Sequence, residues 1–135
     1  MSEASAATRR ESIAARLASL SATVAADASM LRRGRWLNAT CQLDIGDTTW
    51  LLRIVDGRVA EVRSGPFVTP SADFAISGEA AVWRRFLARD PPPGDHDLFA
   101  FLKRNEVRVT GDLHPLMSHL LYWKALFAHL REEAR

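Results

Sequence analysis

The chain contains a single cysteine, Cys41, in 135 residues. No internal disulfide can form, and a lone thiol inside an alternating apolar run reads as a small buried hydrophobe, not a nucleophile. Long hydrophobic runs are missing too: none approaches the roughly 18 to 20 residues that cross a bilayer. The opening MSEASAATRRES lacks the basic-then-apolar order of a secretory signal, so a cytoplasmic location is expected. The seven glycines are too dispersed for a phosphate-cradling loop, and neither G-x-S-x-G nor H-E-x-x-H occurs. Charge of one sign is not in excess, since the formal net charge is only +2 and the arginines are interspersed with acids. Nucleic acid is therefore excluded as a leading partner. The densest basic group, Arg32, Arg33 and Arg35 around Gly34, reads as a solvated turn, with at most transient contact with an anionic membrane.

What is present suits one globular domain. Hydrophobic residues make up 47% and charged residues 25%, enough to bury a core over residues 9–135 after a loose Ala/Ser-rich tail at 1–8. Ile13, Leu17, Leu20 and Val24 recur at helical steps and predict one helix from Arg9 to about residue 31. RWLNATCQLDIGDTTWLLRIVDGRVAEVRSG then alternates with period two and breaks at Gly46-Asp47 and Asp56-Gly57, which predicts a three-stranded antiparallel meander. Leu37, Ala39, Cys41, Leu43 and Ile45 share a face of the first strand, and Trp50, Leu52 and Ile54 share one of the second. The third strand, Arg58 to Arg63, alternates poorly.

After a proline-bearing connection, DFAIS forms a short strand. A helix follows with Ser77 as N-cap and Val82, Trp83, Phe86 and Leu87 on its apolar face. Asp90-Pro91-Pro92-Pro93-Gly94 stops it, and Asp95 or Asp97 caps a third helix carrying Leu98, Phe101 and Leu102. EVRVTGDLHPLM changes period partway: Val107 and Val109 alternate with Glu106, Arg108 and Thr110, Gly111 ends the strand, and Asp112 caps a final helix running to about Arg131, with Pro115 in its first turn. That helix is apolar around much of its girth, so it needs burial on more than one side: a central core helix, a dimer seam, or the wall of a lipid cavity.

The polar residues point to no catalytic or metal chemistry. His114 and His119, five apart on one helix, would stand about 140 degrees from each other, wrong for a shared metal. Asp95-His96-Asp97 fits capping better than coordination. Asp73, Glu106 and Asp112 could meet only in three dimensions. No metal, cofactor or catalytic residue is expected, and the chain is not read as an enzyme.

Three segments in order carry a family resemblance. WLLRIVDGRVAEVRSG resembles a hairpin joined by an Asp-Gly turn, ADFAISGEAAVWRRFLA an Asp-started strand running into a helix, and DLFAFLKRNEVRVTGDLHPLMSHL a helix, a strand closing on Gly-Asp and a C-terminal helix. Over about residues 31–130 the chain resembles the sterol carrier protein 2 (SCP2) family of lipid-binding domains. It departs from the family at Asn105, where relatives commonly have glycine, and in the bulkier PPPGDHD bridge. The resemblance implies an α+β fold, with a five-stranded mixed, mostly antiparallel sheet and helices packed on one face. It also implies an apolar tunnel between the layers for a sterol, fatty acyl or isoprenoid ligand. The residues expected to line it are Trp50, Leu52 and Ile54 from the sheet, Val82, Trp83 and Phe86 from the second helix, and Leu116, Leu120, Trp123 and Phe127 from the last.

A dry void of about 400 Å³ at roughly 24 cal/mol per Å³ would cost on the order of 10 kcal/mol, as much as a domain's net stability. The tunnel is therefore expected to hold a lipid or to have closed partly around flexible side chains such as Met117. The expected role is an intracellular lipid-binding or carrier module that presents its ligand to an enzyme or membrane. The alternative is a non-catalytic accessory or assembly subunit whose C-terminal helix docks a partner or a second copy of itself.

Overall fold

The computed structural model describes residues 13–68, 71–89, 91, 94 and 97–131. The expected tail at 1–8, the start of the first helix at Arg9, Asp95 as a cap and most of the proline break lie outside them. The stripe Ile13, Leu17, Leu20 and Val24 is buried as its spacing predicts, but one helix does not carry it. α1 (13–18) is followed by α2 (Leu20–Ala25) and α3 (Ala28–Arg33). At Ser19 the chain stays nearly helical, its N–H donating to Ala15 O at 3.1 Å. The second break has a definite cause: Asp27 is extended, and its Oδ1 accepts the Met30 N–H at 3.1 Å, capping α3.

The sheet comprises β1 (Ala39–Ile45), β2 (Thr48–Val55), β3 (Arg58–Ser64), β4 (Phe74–Gly78) and β5 (Val107–Gly111) in the order β3-β2-β1-β4-β5. The β1–β4 pair is parallel and the other pairs are antiparallel. This is the mixed, mostly antiparallel sheet that the resemblance implies. Asp56 (φ 51) and Gly57 (φ 79) both take positive φ, which suits the hairpin to the twist of its strands. The poor alternation of β3 has a physical reason. A register shift between Arg53 and Ile54 pairs Leu52 with Val62 and Ile54 with Val59, so valines three apart both join the core.

Helices cover the face of the sheet on which Ala39, Cys41, Leu43, Ile45, Leu52, Ile54, Phe74 and Ile76 are buried. α4 (Ala80–Phe86) buries Val82, Trp83 and Phe86. Its N-cap is Glu79, not the expected Ser77, which stays within β4 and donates from Oγ to Asp44 Oδ2 at 2.8 Å. Asp97 caps α5 (Leu98–Lys103) as expected, accepting the Phe99 N–H at 3.0 Å.

The expected single C-terminal helix is two, α6 (His114–Met117) and α7 (Leu120–His129). Asp112 Oδ1 does accept the His114 N–H at 3.0 Å ahead of α6. The break follows from Ser118, whose hydroxyl donates back to His114 O at 2.7 Å, and from His119, whose φ −133 and ψ 43 are not helical. Trp123 Nε1–H donates to Pro115 O at 3.0 Å and ties the two pieces together.

Tyr122 anchors α7 to the sheet, its buried hydroxyl donating to Gly57 O at 2.6 Å. Burial pushes the phenol pKa up. The same ring lies over Gly34, where an added Cβ would meet it at 2.5 Å. These contacts set α7 across the core, where Trp123 meets Phe74 edge-on at 5.1 Å and Phe127 stands 5.5 Å from Phe86.

Candidate apolar site

Four helices meet around a cavity of about 250 Å³, lined by Phe86 of α4, Leu98 and Phe99 of α5, Leu116 of α6, and Leu120, Leu121, Trp123 and Phe127 of α7. Local sequence puts each wall there. Asp97 starts α5 so that Leu98 and Phe99 fall on its first turn, and the Ser118–His119 break turns Leu116 and Leu120 toward the same space. Leu116, Trp123, Phe127 and Phe86 are buried, while Leu120 and Leu121 are partly exposed at the mouth.

The lip is charged. Lys124 is exposed there, Arg131 lies beside it, and Asp97 is already engaged as a cap. Arg131 packs its guanidinium over the Phe86 ring at 5.2 Å and donates from Nε to Phe86 O at 3.1 Å. Burial lowers its pKa from the usual arginine value. The arrangement is an apolar chamber with cations at its entrance, suited to an amphiphile with a greasy body and an anionic or polar head.

Of the ten expected lining residues, Phe86, Leu116, Leu120, Trp123 and Phe127 converge on this cavity. The others are placed elsewhere. Leu52, Ile54 and Trp83 are core residues, and Trp83 Nε1–H is bound to Asp44 O at 2.9 Å. Val82 borders a polar cleft of about 880 Å³ at the far end of β4 and β5. Trp50, half-buried, lines a separate cleft of about 270 Å³ with Ile13 and Ile45. The shared cavity therefore opens between helices and does not run between helices and sheet, because Phe74, Ile76, Trp83 and Trp123 fill that layer. Met117, expected as a plug, is 51% exposed on the outer side of α6.

Asp97, Leu98, Phe99, Leu121, Lys124 and Arg131 are the lining residues absent from the expected set. A signal existed for Leu98 in the Asp97 cap that starts α5. None existed for Arg131, which depends on tertiary contact with Phe86.

The three acids do not meet: Asp73 and Asp112 are neighbours, with the Asp112 N–H donating to Asp73 O at 2.7 Å, but Glu106 stands apart. Glu106 and Asp112 flank opposite ends of β5. Glu106 accepts a two-pronged hydrogen bond from Arg85 at 2.6 and 3.0 Å and another from Arg104 Nε at 2.6 Å. Asp73 Oδ2 accepts the Thr40 N–H at 2.6 Å. The polar cleft beside Val82 is held by similar closed networks: Asp44 accepts from Gln42, Thr49 and Ser77. Among the described residues no three His, Cys, Asp or Glu side chains are grouped so as to hold a metal ion, and no helix is long and apolar enough to cross a membrane.

No family model matches the sequence, and no curated protein matches it. Solved structures do match in shape. A crystal structure of sterol carrier protein 2 superposes with a TM-score of 0.71 at 16% identity, covering 89% of this chain and 96% of that one. A possible sterol carrier protein from Thermus thermophilus gives 0.66 at 13% identity, covering 90% of each chain. The UbiJ-SCP2 ubiquinone synthesis protein gives 0.59 at 16% identity, covering 92% of this chain and 99% of that one.

Proposed function

Starting from a chain that has the sterol carrier protein 2 fold, we propose that it is a single-domain lipid-binding module. In this reading the cavity between α5 and α7 receives the apolar part of its ligand without chemical change. The observation that carries the reading is the convergence of Phe86, Leu98, Leu116, Leu120, Trp123 and Phe127 from four helices on one space with Lys124 and Arg131 at its lip. At about 250 Å³ the space is below the roughly 300 to 1,000 Å³ usual for small-molecule pockets. It accepts a chain-like acyl or isoprenoid segment more readily than a rigid fused-ring sterol. Each Å² of apolar surface removed from water contributes about 25 cal/mol, so affinity should rise with chain length until the cavity is full.

The test has two parts. Organic extraction of freshly purified protein and mass spectrometry of the extract should yield a chain-like lipid in stoichiometric amount. A fluorescent acyl probe should bind the wild type and lose affinity for Leu120→Asp, which sets a charged, hydrated carboxylate in the apolar mouth. An empty extract together with equal probe binding by wild type and variant would remove the reading.

A second reading, an accessory subunit, is supported by the likeness to the ubiquinone synthesis protein and by apolar side chains exposed along α6 and α7, with Leu121 at 59%. α7 itself has little left for a partner, because Tyr122, Trp123, Leu126 and Phe127 are buried in its own core. Native mass spectrometry separates the two readings: a lipid-loaded monomer favours the first, and an empty tight oligomer the second.

A further inference from the structure

The two edges of the sheet are finished differently. β3, at one edge, is guarded: α2 packs against it, Ser21 Oγ donates to Val59 O at 2.8 Å, and Glu61 is ion-paired with Arg53 at 3.5 Å and Arg63 at 3.6 Å. The register shift in the β2–β3 pair makes that edge a still poorer template for another strand. At the other edge, α5 lies beside the start of β5, joined to it by the Glu106 N–H donating to Phe101 O at 2.9 Å. The outer side of β5 is open. The Gly46 N–H donates to Gly78 O at 2.9 Å, which turns the even positions of β4 toward β1. Ala75 and Ser77 therefore serve β5, through their partners Thr110 and Arg108. The N–H and C=O groups of Val107 and Val109 point away from the sheet, and no group among the described residues bonds to them.

This open edge lies in the wall of the polar cleft of about 880 Å³, which Leu102, Val107, Arg108 and Val109 line on the β5 side. Val109 pairs with buried Ile76, so its side chain turns to the helix-covered face, where it and Leu102 are half-buried. Arg108 pairs with Ser77 and turns to the other face, exposed and without a hydrogen-bond or ion-pair partner among the described residues. The nearby acids are fewer and mostly engaged. Glu106 is held by Arg85 and Arg104, and Asp44 by Gln42, Thr49 and Ser77. Glu79, ahead of α4, is the remaining acid of the cleft. Along β5 itself the balance is positive, with exposed Lys103, Arg104 and Arg108 around Glu106.

We propose that the outer edge of β5 receives an extended acidic segment of another protein as a sixth strand. The main-chain groups of Val107 and Val109 supply the ladder, and side-chain alternation supplies the preference: apolar residues beside Val109 and Leu102, an acidic one opposite Arg108. A second copy of this chain is a poor occupant, because it would bring Arg104 and Arg108 up against the same cations. The inference stands apart from the lipid-carrier reading, since the apolar cavity and this cleft share no lining residue.

The probes are two end-blocked peptides, TVEVEVT and TVKVKVT, titrated into the isotope-labelled full chain. The glutamate peptide should bind, slow amide exchange at Val107 and Val109, and lose affinity as salt rises. The lysine peptide should bind about tenfold more weakly or worse, and Arg108→Glu should reverse the preference. Val109→Pro removes an outward N–H without touching the β4–β5 ladder, so it should weaken the glutamate peptide about tenfold. Arg108→Glu leaves the backbone unchanged and carries the test if the proline variant does not fold. Unchanged melting temperature shows that a variant is folded.

Binding of neither peptide at millimolar concentration, equal affinity for the two, or exchange effects that spare Val107 and Val109 would overturn the proposal. So would Val107 and Val109 amides as protected in the peptide-free chain as those of Arg108 and Thr110. A concentration-dependent dimer that Val109→Pro dissolves would give the edge to a second copy and overturn it too. Peptide binding by a chain that binds no acyl probe would leave this proposal intact and remove the carrier reading.

Discussion

Two leucine deletions of the same chemistry should have different costs, because only one of them borders the cavity between α5 and α7. Leu52 is 0% exposed in the sheet-facing core, and Leu116 is 2% exposed but forms a wall of the cavity. Replacing either by alanine removes three carbons from the interior, a transfer loss of roughly 2.4 kcal/mol at about 0.8 kcal/mol per methylene. At Leu52 the deletion also leaves a closed void, and such a void adds about 24 cal/mol per Å³, which brings the total toward 4 to 5 kcal/mol. At Leu116 the vacated space merges with a cavity that already exists, so that addition is small and the total should stay near 2.5 to 3 kcal/mol.

For a chain of this length, with an unfolding entropy of about 2.1 cal/mol/K per residue, 1 kcal/mol corresponds to about 3.5 °C in Tm. Scanning calorimetry should then place Leu52→Ala about 14 to 18 °C below the wild type and Leu116→Ala about 9 to 11 °C below it. Urea unfolding should report the same ranking with unchanged slopes. A long-chain acyl ligand should raise the Tm of Leu52→Ala by the same amount as that of the wild type, and that of Leu116→Ala by more, because the enlarged cavity holds more of the chain. Equal losses for the two variants, with no difference in ligand rescue, would refute the reasoning.

Gly57→Ala should destabilise by more than about 2 kcal/mol in urea unfolding, because a Cβ there stands 2.5 Å from Gly34 O at a φ of +79; a loss under half that size would mean the backbone crossing is looser than described. Tyr122→Phe removes the 2.6 Å donation to Gly57 O and should cost about 1 to 3 kcal/mol through the acceptor left behind, as read from the same unfolding curves. Hydrogen bonds from Arg85 and then Arg104 hold the Glu106 pKa down to about 2. Its folded value lies below its unfolded one, so its stabilising contribution is present above about pH 4.5 and is lost as pH falls toward 2. Glu106→Gln should therefore flatten the acid limb of a stability-against-pH curve, and an unchanged limb would contradict the assignment.

Much of the fold was legible because periodicity and turn chemistry are local. The Asp56-Gly57 turn, the inward set of β1 and the Asp97 cap follow from neighbouring residues alone. The misjudged features depend on competition or distance. Ser77 has the hydroxyl of an N-cap, but Asp44, thirty-three positions away, takes it as a donor. Ser118 and His119 read as two polar interruptions in a helix, yet together they end one helix and start another.

The candidate site divides in the same way. Phe86, Leu116, Trp123 and Phe127 turn inward as helical spacing predicts and border the candidate cavity, with Leu120 exposed beside them. Leu52, Ile54 and Trp83 share that signature and are solid core. Hydrophobic spacing tells which side chains turn inward and does not tell which of them border empty space. Arg131 was invisible because its place depends on the Phe86 carbonyl and ring.

The central claim is that an apolar chain enters between α5 and α7. The most direct measurement is a set of intermolecular nuclear Overhauser effects between a bound, unlabelled acyl chain and isotope-labelled protein. The account predicts contacts from the chain to Leu98, Leu116, Leu120, Trp123 and Phe127. Contacts confined to Trp50 and Ile13 in the opposite cleft, or no contacts at saturating ligand, would contradict it.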